Sequence, residues 1–313
     1  MRKEIEKLID NISKVIIGKR SVIEKIIICL LCKGHVLLED VPGTGKTTLV
    51  HSLAKSLNLS FKRIQFTPDL LPSDVLGISV YNQKSGDFEF KIGPVYSNIV
   101  LADEINRTSP KTQSSLLEAM QEEQITVDGI TYPLPQPFIV LATQNPIEYE
   151  GTFPLPEAQL DRFMMKLSLG YPDKTSEKAI LRKFKLQNPI ETLKSVLSVD
   201  DVLKMQKEVE KVHVDQAIDD YIIEIVSKTR ENKDIRLGVS PRGSIALFKA
   251  AQGHAYINNR DYVIPDDVKK LVIPIFSHRI ILKPEAKIKK LNEKTVLENI
   301  LLDTKVSVVK NHG

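Results

Sequence analysis

The stretch from Val36 to Val50 constrains the fold more than any other part of this 313-residue chain. It opens with a short apolar run, continues through the loop-type sequence Asp40-Val41-Pro42-Gly43-Thr44, and reaches Gly45-Lys46-Thr47 at the start of an apolar-periodic segment. This order predicts a buried strand, a glycine-rich loop and a helix, which together form a P-loop. Backbone N–H groups of such a loop and its helix N-terminus bind phosphate groups.

Individual residues of this loop have distinct expected roles. Lys46 is expected to reach the β- and γ-phosphates of a nucleotide, and the Thr47 hydroxyl to bind Mg²⁺. Asp40 departs from the general G-x-x-x-x-G-K-[ST] pattern, because it stands where the first glycine is expected. An ordinary glycine-rich turn is the alternative, which Gly-Lys-Thr at this position disfavours. The expected nucleotide-binding residues here are Gly43, Thr44, Gly45, Lys46, Thr47 and Thr48.

Polar residues also follow two further apolar runs. Asp103 and Glu104 come directly after Ile99–Ala102. This pattern predicts that Asp103 holds the Mg²⁺ shell and that Glu104 acts as general base or orients the attacking water. Asn145 ends the next apolar run, and since ligands bind beyond the carboxyl ends of parallel strands, it is expected near the γ-phosphate. The alternative for Asn145 is a turn-forming residue before Pro146.

Two arginines are candidates for binding phosphate charge. Arg162 lies in a short helical segment. It either forms a surface ion pair with Asp161 or Glu157 or acts as an arginine finger that reaches a neighbouring subunit's nucleotide. Arg242 follows Ser240-Pro241, a helix cap and first helical position. A cation in the first turn opposes the helix dipole, so Arg242 is expected to have an anionic partner such as phosphate.

The alternation of elements predicts the fold class. Apolar strands alternate with helices up to about residue 173, which predicts an α/β core whose parallel five-stranded sheet is sandwiched by helices. From residue 174 the strands stop, and an all-α domain is expected over 174–313. Five helices are predicted there, at 174–186, 199–211, 215–230, 241–257 and 265–276. Two short strands are expected between 79 and 90, and an Asp-Gly hairpin over 124–132.

Composition narrows the functional classes. The net charge of +4, from 44 Lys and Arg against 40 Asp and Glu, is too small to argue for nucleic acid. An apolar run of membrane-spanning length is absent from the sequence and the N-terminus has no signal-peptide pattern, so a cytoplasmic protein is expected. Cys29 and Cys32 form a C-x-x-C, which suggests a redox pair or half of a metal site. Because they lie in an apolar helical stretch without a second Cys pair, buried structural thiols are the preferred interpretation.

These motifs together resemble the MoxR family of AAA+ ATPases, from Ile16 to at least Ile257. The resemblance implies a P-loop AAA+ core over 1–173 and a helical lid over 174–313. It also implies an insertion at about 76–94 and a hairpin at about 124–134 before sensor 1. Asp40 is common in that family. The matching segments are Leu38–Thr47, Thr67–Asp74, Ala102–Arg107, Ala142–Pro146, Glu150–Phe163 and Ser240–Arg242.

The resemblance also implies roles, with ATP and Mg²⁺ as cofactors. Members form rings, often hexamers, and act as chaperone-like factors that remodel or mature client proteins, frequently with a von Willebrand factor A-domain protein as partner. The implied assignments are Lys46 and Thr47 to Walker A, Asp103 and Glu104 to Walker B, Asn145 to sensor 1, Arg162 to the finger, Arg242 to sensor 2, and Ile16, Ile17 and Gly18 to the adenine contact.

We therefore expect hydrolysis of ATP by in-line attack of water, with Lys46 and Arg242 neutralising charge and Arg162 supplied by the next subunit. In this interpretation the lid closes Arg242 over the phosphates from above. A motor acting on nucleic acid is one alternative, which the modest charge, the absence of tryptophan and the lack of Lys or Arg in 124–134 disfavour. A nucleotide-gated scaffold with little turnover is the other, which the presence of Glu104 and Arg162 disfavours.

Overall fold

A parallel five-stranded sheet forms the centre of the first half of the chain, as predicted. The computed structural model describes residues 1–145, 151–184 and 189–306. The strand order in the sheet is β2-β5-β8-β1-β9. In chain order the strands are β1 (Val36–Glu39), β2 (Phe61–Gln65), β3 (Gly77–Asn82), β4 (Asp87–Ile92), β5 (Ile99–Asp103), β6 (Gln124–Val127), β7 (Ile130–Pro133), β8 (Ile139–Gln144), β9 (Met165–Leu167), β10 (Ile235–Leu237) and β11 (Ile281–Leu282).

Helices cover both faces of this sheet. The residue Cys32 ends the second helix, and Ser109 caps the fifth by accepting a hydrogen bond from the Thr112 N–H. A single 3₁₀ turn covers Ile105–Arg107. The helices are α1 (Lys3–Ser13), α2 (Arg20–Leu31), α3 (Lys46–Leu57), α4 (Pro72–Leu76), α5 (Pro110–Glu122), α6 (Glu157–Leu160), α7 (Lys174–Phe184), α8 (Val199–Val209), α9 (Gln216–Glu231), α10 (Pro241–Ile257), α11 (Pro265–Phe276), α12 (Pro284–Ile288) and α13 (Glu293–Asp303).

The central strands are apolar on both faces because both faces are covered. Successive side chains of a strand point to opposite faces. In β1, Val36 and Leu38 pack in one hydrophobic cluster with α1, α2 and α3, while Leu37 packs in a second cluster with α5. The first cluster continues without interruption into the helices of the second half of the chain. The two halves therefore share one apolar core.

The second half is helical as predicted, with two additions. The strands β10 and β11 form a short antiparallel pair, so the expected all-α composition needs this correction. Strands of three and two residues are too short to show a recognisable alternation in sequence. The helices α12 and α13 follow the last helix predicted from the sequence and were not among the five predicted.

Close packing joins α10 to α2. A Cβ atom added at Gly253 of α10 would lie 2.6 Å from Cys32 Sγ, so this crossing requires glycine. Cys29 and Cys32 are buried free thiols, as predicted, and burial raises the pKa of Cys32 to about 12. The pKa of Cys29 is also raised well above its ordinary value by burial. Both thiols are therefore protonated packing groups at neutral pH.

Two hairpins project from the core where the sequence predicted short strands. The pair β3–β4 follows α4, and the pair β6–β7 follows α5 with its turn at Asp128-Gly129. Both turn residues have positive φ, which this two-residue turn requires. The rings of Phe90 and Tyr132 stack at 4.4 Å between centroids and join the two hairpins. None of the helices in the described part of the chain is long and apolar enough to cross a membrane.

Candidate functional site

The loop between β1 and α3 has the backbone shape of a phosphate cradle. Gly43 and Gly45 have φ values of 82° and 90°, in the left-handed region that favours glycine. A Cβ at either glycine would find no other described atom within 4 Å, so the loop borders open space. Within the described residues, no side chain caps the N-terminus of α3 at Gly45. The first N–H groups of α3 therefore remain available for an anion.

The ammonium of Lys46 lies against this loop. Its Nζ donates hydrogen bonds to the carbonyl oxygens of Asp40 at 2.8 Å and Val41 at 3.4 Å. The cation is thereby held against the backbone of the loop. This position agrees with the role expected for the P-loop lysine.

A cavity of about 410 Å³, here called the loop cavity, brings most of the predicted residues together. Its walls come from the P-loop and from the carboxyl ends of β2, β5 and β8, as expected for an open parallel sheet. The predicted residues Lys46, Thr47, Asp103, Glu104 and Asn145 all line it. The full set is Pro42, Gly43, Gly45, Lys46, Thr47, Thr48, Arg63, Gln65, Asp103, Glu104 and Asn145.

The carboxylate of Asp103 has two partners in this cavity. Arg63 Nη2 lies 2.6 Å from Asp103 Oδ2, and the Thr143 hydroxyl donates to Oδ1 at 2.6 Å. The same Thr143 oxygen accepts a hydrogen bond from the Glu104 N–H at 2.8 Å. Thr143, which is fully buried, therefore ties together the two neighbouring acidic residues.

Glu104 is held in an unusual conformation. Its φ of 57° lies in the left-handed region, a strained state for a non-glycine residue that is concentrated at functional sites. Its Oε2 accepts hydrogen bonds from Gln65 Nε2 at 2.7 Å and Arg107 Nη1 at 3.0 Å. The backbone strain and the two donors together fix where this carboxylate points.

Sequence reasoning missed four polar partners in this cluster: Arg63, Gln65, Arg107 and Thr143. A signal for two of them was present, because residues 63 and 65 share one face of β2 by their spacing. In the sheet register Gln65 lies beside Asp103. Polar residues at alternate positions near the carboxyl end of an otherwise buried sheet could have been assigned to the site.

A second cavity of about 460 Å³, here called the apolar cavity, adjoins the loop cavity through Gly43, Gly45 and Thr48. The predicted residues Ile16 and Ile17 line it, and its mostly apolar walls suit a flat ring system. The remaining lining residues are Val15, Lys19, Thr44, Leu169, Tyr171, Pro172, Glu177, Ile180 and Leu181.

The predicted residue Gly18 supports this wall rather than lining it. It has a φ of 75°, and an added Cβ would lie 2.5 Å from Ser176 Oγ. A side chain at this position would therefore push α7 away from the segment that carries Ile16 and Ile17.

Arg162 lies away from both of these cavities. It lines a third cavity of about 470 Å³, here called the arginine cavity, together with residues of α5 and α6. The described residues of this cavity include none from the P-loop. Between the described residues, no ion pair joins Arg162 to Asp161 or Glu157, and Asp161 pairs with Arg279. The surface ion pair considered as the alternative is therefore not what this region contains.

Arg242 lies on the same side of the molecule as Arg162, which corrects the expectation that it closes over the phosphates of its own chain. Its exposed guanidinium donates to Gln121 Oε1 at 3.3 Å, and Gln121 lines the arginine cavity. The reason is a contact between two distant segments of the chain. The Ser240 hydroxyl donates to Asp161 Oδ2 at 2.8 Å, which anchors the start of α10 beside Arg162.

Comparisons with known proteins identify both halves of the chain. Residues 35–165 match the model of the "ATPase family associated with various cellular activities (AAA)", and residues 227–300 match the "AAA lid domain". A crystal structure from Cytophaga hutchinsonii, of a protein described as a candidate ATPase, superposes with a TM-score of 0.91 at 46% identity. The superposition covers 97% of this chain and 95% of the Cytophaga hutchinsonii chain.

Relatives span nearly the whole chain. The Bacillus subtilis protein YeaC, described as uncharacterized, is 55% identical over 97% of this chain and 95% of its own length. Chaperone MoxR1 of Mycobacterium tuberculosis is 40% identical over 95% of this chain and 81% of its own length. Protein MoxR of Paracoccus denitrificans is 31% identical, and the match covers 86% of each chain. This chain therefore belongs to the MoxR family of AAA+ ATPases.

Proposed function

We propose that this protein hydrolyses ATP at the loop cavity, by in-line attack of water on the γ-phosphate. The observation that carries the proposal is the convergence of Lys46, Thr47, Asp103, Glu104 and Asn145 on one cavity. A phosphate cradle, oxygen ligands for a cation, a carboxylate base and a polar amide are the parts that this reaction needs. The adjoining apolar cavity is the candidate binding place of adenine.

The residues present fit a Mg²⁺ ion bound jointly with the nucleotide. Mg²⁺ prefers one or two carboxylates together with substrate phosphates. The Thr47 hydroxyl and the Asp103 carboxylate line the same cavity and are the candidate ligands. In the described ranges, no cluster of three His, Cys, Asp or Glu could hold a metal without other ligands. When bound, the ion would neutralise phosphate charge.

Glu104 is the proposed general base, and Asn145 would orient the attacking water. Lys46, which is already placed inside the loop, would bind the β- and γ-phosphates. The left-handed backbone at Glu104 supports this assignment, since such strain is typical of functional positions. Because Gln65 and Arg107 both hold Oε2, the proton acceptor in this scheme is the other carboxylate oxygen or a rotated Glu104.

Both arginines would act on the nucleotide of a neighbouring subunit. Arg162 and Arg242 lie at the arginine cavity, whose described lining contains no P-loop residue, so one chain alone does not complete the site. A ring of chains, with the hexamer as the expected form, would bring this cavity to the loop cavity of the next subunit. An arginine supplied in this way can raise the hydrolysis rate ~10³–10⁵-fold.

The energy would be used to remodel client proteins, with a von Willebrand factor A-domain protein as the candidate partner. The support is a relative named as a chaperone and the apolar surface of the β3–β4 hairpin. On that hairpin the side chains of Ile78, Tyr81, Phe88 and Ile92 are more than half exposed. Apolar patches of this kind are typical of protein contact sites.

Glu104→Gln tests the hydrolytic proposal. The variant should bind ATP with wild-type affinity and hydrolyse it roughly 10²–10⁴-fold more slowly, because a neutral amide cannot accept the proton. A phosphate-release assay and titration with a fluorescent ATP analogue measure the two quantities. The matched control is Glu231→Gln, at the exposed end of α9. Hydrolysis by Glu104→Gln at the wild-type rate would contradict the proposed mechanism.

A mixing experiment tests the shared site. Lys46→Ala subunits keep Arg162 but lose phosphate binding, while Arg162→Ala subunits keep the loop. Each variant alone should be nearly inactive, and a mixture should recover part of the activity at mixed interfaces. Absence of recovery, from a protein that stays monomeric with ATP, would count against a site built from two chains.

A further inference from the structure

The Asp40 side chain fastens the P-loop to the segment that follows β9. Its Oδ1 accepts hydrogen bonds from the Ser168 hydroxyl at 2.7 Å and the Gly170 N–H at 2.9 Å, and its Oδ2 accepts one from the Leu169 N–H at 2.6 Å. Asp40 is only 5% exposed. Three donors to one buried carboxylate form a strong and directional contact. A glycine, the residue of the general P-loop pattern, has no side-chain oxygen to accept these hydrogen bonds.

The same residue contacts the phosphate side of the site through its backbone. The Asp40 carbonyl accepts the hydrogen bond from Lys46 Nζ at 2.8 Å, and its N–H donates to the Gln144 carbonyl at 3.3 Å. The backbone of Asp40 therefore belongs to the loop that holds Lys46. Its side chain belongs to the contact with residues 168–170.

The fastened segment forms one wall of the apolar cavity. Leu169, Tyr171 and Pro172 line that cavity together with Ile16 and Ile17. Gly170, with a φ of 60°, lies between the lining residues Leu169 and Tyr171. The segment then leads directly into α7, the first helix after the sheet. The Asp40 carboxylate thus sets the distance between the phosphate loop and the wall of the apolar cavity.

We infer that Asp40 is a positioning residue for the nucleoside part of the ligand, and that it controls the affinity for that part. The inference rests on the proposed function, in which ATP occupies these two cavities. Without the carboxylate, two backbone N–H groups near the core lose their acceptor, and such groups are costly to leave unpaired. The 168–172 segment then moves to recover partners, and the apolar cavity loses its shape. The phosphate cradle, built from Gly43 to Thr48, keeps its own backbone contacts.

The test compares Asp40→Asn and Asp40→Gly with wild type, using ATP, GTP and inorganic tripolyphosphate as probes. We expect the Kd and KM for ATP to rise about tenfold, while kcat at saturating ATP changes less than threefold. The Kd for GTP, which also carries a base, should rise in the same direction as that for ATP. Tripolyphosphate, which has no base, should bind the variants and wild type within about twofold of each other. A purely structural defect would weaken all three probes together.

Two further variants make the result specific. Glu39→Gln removes the neighbouring carboxylate, which pairs with Lys166 at 3.0 Å, and should leave all three affinities unchanged. Ser168→Ala removes one of the three donors and should raise the Kd for ATP two- to threefold. If the Asp40 variants fail to fold, the Kd of Ser168→Ala for ATP tests the inference, provided that the thermal midpoint of this variant is unchanged.

The outcomes separate this inference from the proposed function. If wild type binds ATP and the Asp40 and Ser168 variants bind it with the same Kd, the inference is overturned but the proposed function is not. Equal loss of ATP and tripolyphosphate binding would also overturn it, since Asp40 would then act on the phosphate loop. Wild type that binds no ATP would overturn the proposed function and this inference with it. Selective loss of ATP over tripolyphosphate supports the positioning role.

Discussion

The guanidinium of Arg279 donates to the carboxylate of Asp161, with 2.7 Å between Nε and Oδ1, directly beside Arg162. Arg279 follows α11, and its side chain is 2% exposed. It also donates to the backbone carbonyls of Asp161, Phe163 and Met164 at 3.1, 2.7 and 3.1 Å. The segment that carries Arg162 is therefore held by a cation from the second half of the chain.

Replacing Arg279 should destabilise the protein strongly. Arg279→Met leaves the partly buried Asp161 carboxylate unpaired and removes the donor of several carbonyl groups, so we expect a loss of about 3 kcal/mol or more in the free energy of unfolding. Arg279→Lys should recover only part of this, because an ammonium cannot reproduce the planar array of donors. Chemical denaturation measures both. The exposed Arg182→Met is the control, and equal stability of all four proteins would refute the expectation.

The Thr143 hydroxyl should matter for catalysis rather than for nucleotide binding. In Thr143→Val the shape is nearly kept, but Asp103 Oδ1 loses a donor and the Glu104 N–H loses its acceptor. We expect kcat to fall about tenfold, because loss of these hydrogen bonds raises the activation free energy by about 1–2 kcal/mol. KM should change less than threefold. Steady-state kinetics measure the split. Thr131→Val, on the exposed strand β7, is the control, and a rise in KM alone would assign Thr143 to binding.

Release of Glu104 from Gln65 should raise basal hydrolysis. In Gln65→Leu, Glu104 Oε2 keeps only its contact with Arg107. A larger fraction of molecules then has a Glu104 carboxylate free to accept a proton. We expect kcat without partners to rise two- to fivefold, to the order of a 0.5–1 kcal/mol change in barrier. A tenfold decrease would mean that Gln65 holds Glu104 in its working position. The exposed Gln83→Leu, between β3 and β4, is the control away from the cavity.

The position of Arg242 predicts the outcome of a second mixing experiment. Arg242→Ala subunits keep Lys46, and Lys46→Ala subunits keep Arg242, so a mixture should recover activity if Arg242 serves the neighbouring site. If Arg242 served its own chain, the mixture would stay as inactive as the separate variants. ATPase activity as a function of mixing ratio, with total protein constant, distinguishes the two results.

Stability should fall on acidification because of buried histidines. His35 Nε2 donates to the Met120 carbonyl, and Nδ1 accepts from the Val140 N–H, so the neutral ring is fully paired. Burial lowers the pKa of His35 to about 4. Between pH 6.5 and 4 the unfolded chain binds a proton that the folded chain does not, so stability decreases as pH falls through this window. His278, whose pKa is lowered well below its ordinary value by burial, acts in the same direction.

For His35 alone we expect a loss of about 2 kcal/mol between pH 7.5 and pH 5. His35→Gln should be less stable at pH 7.5 but should show a weaker dependence on pH over this range. Denaturation at several pH values measures the slope, with His213→Gln, an exposed histidine, as the control. An identical slope in wild type and His35→Gln would contradict the assignment.

The sheet and the loop cavity were largely predictable because local patterns specify them. The run Ile99–Ala102 is apolar because it is covered on both faces, and Asp103 follows where the strand leaves the core. Gly43 and Gly45 have the left-handed backbone that their position in the loop indicated. These features depend on neighbours in sequence and on strand order, which follow from elementary rules.

Contacts between distant segments were not predictable in the same way. The side of the molecule on which Arg242 lies depends on the Ser240–Asp161 contact, which joins residues 79 positions apart. The three donors to Asp40 come from residues about 130 positions away. A single sequence contains no local pattern for such pairs, so Asp40 looked only like a departure from a motif. The partners of Asp40, residues 168–170, are determined by tertiary packing.

The crossing of α10 over α2 at Gly253 has a consequence for how motion can be transmitted. A Cβ at Gly253 would lie only 2.6 Å from Cys32 Sγ, and one apolar cluster runs through both halves of the chain. The contact between α10 and α2 therefore has no space in which the two halves could bend. We therefore expect each chain to move as a rigid block. In an assembly of such chains, movement would then occur at the interfaces between chains, where the proposed function has Arg162 of one chain acting on the nucleotide of the next.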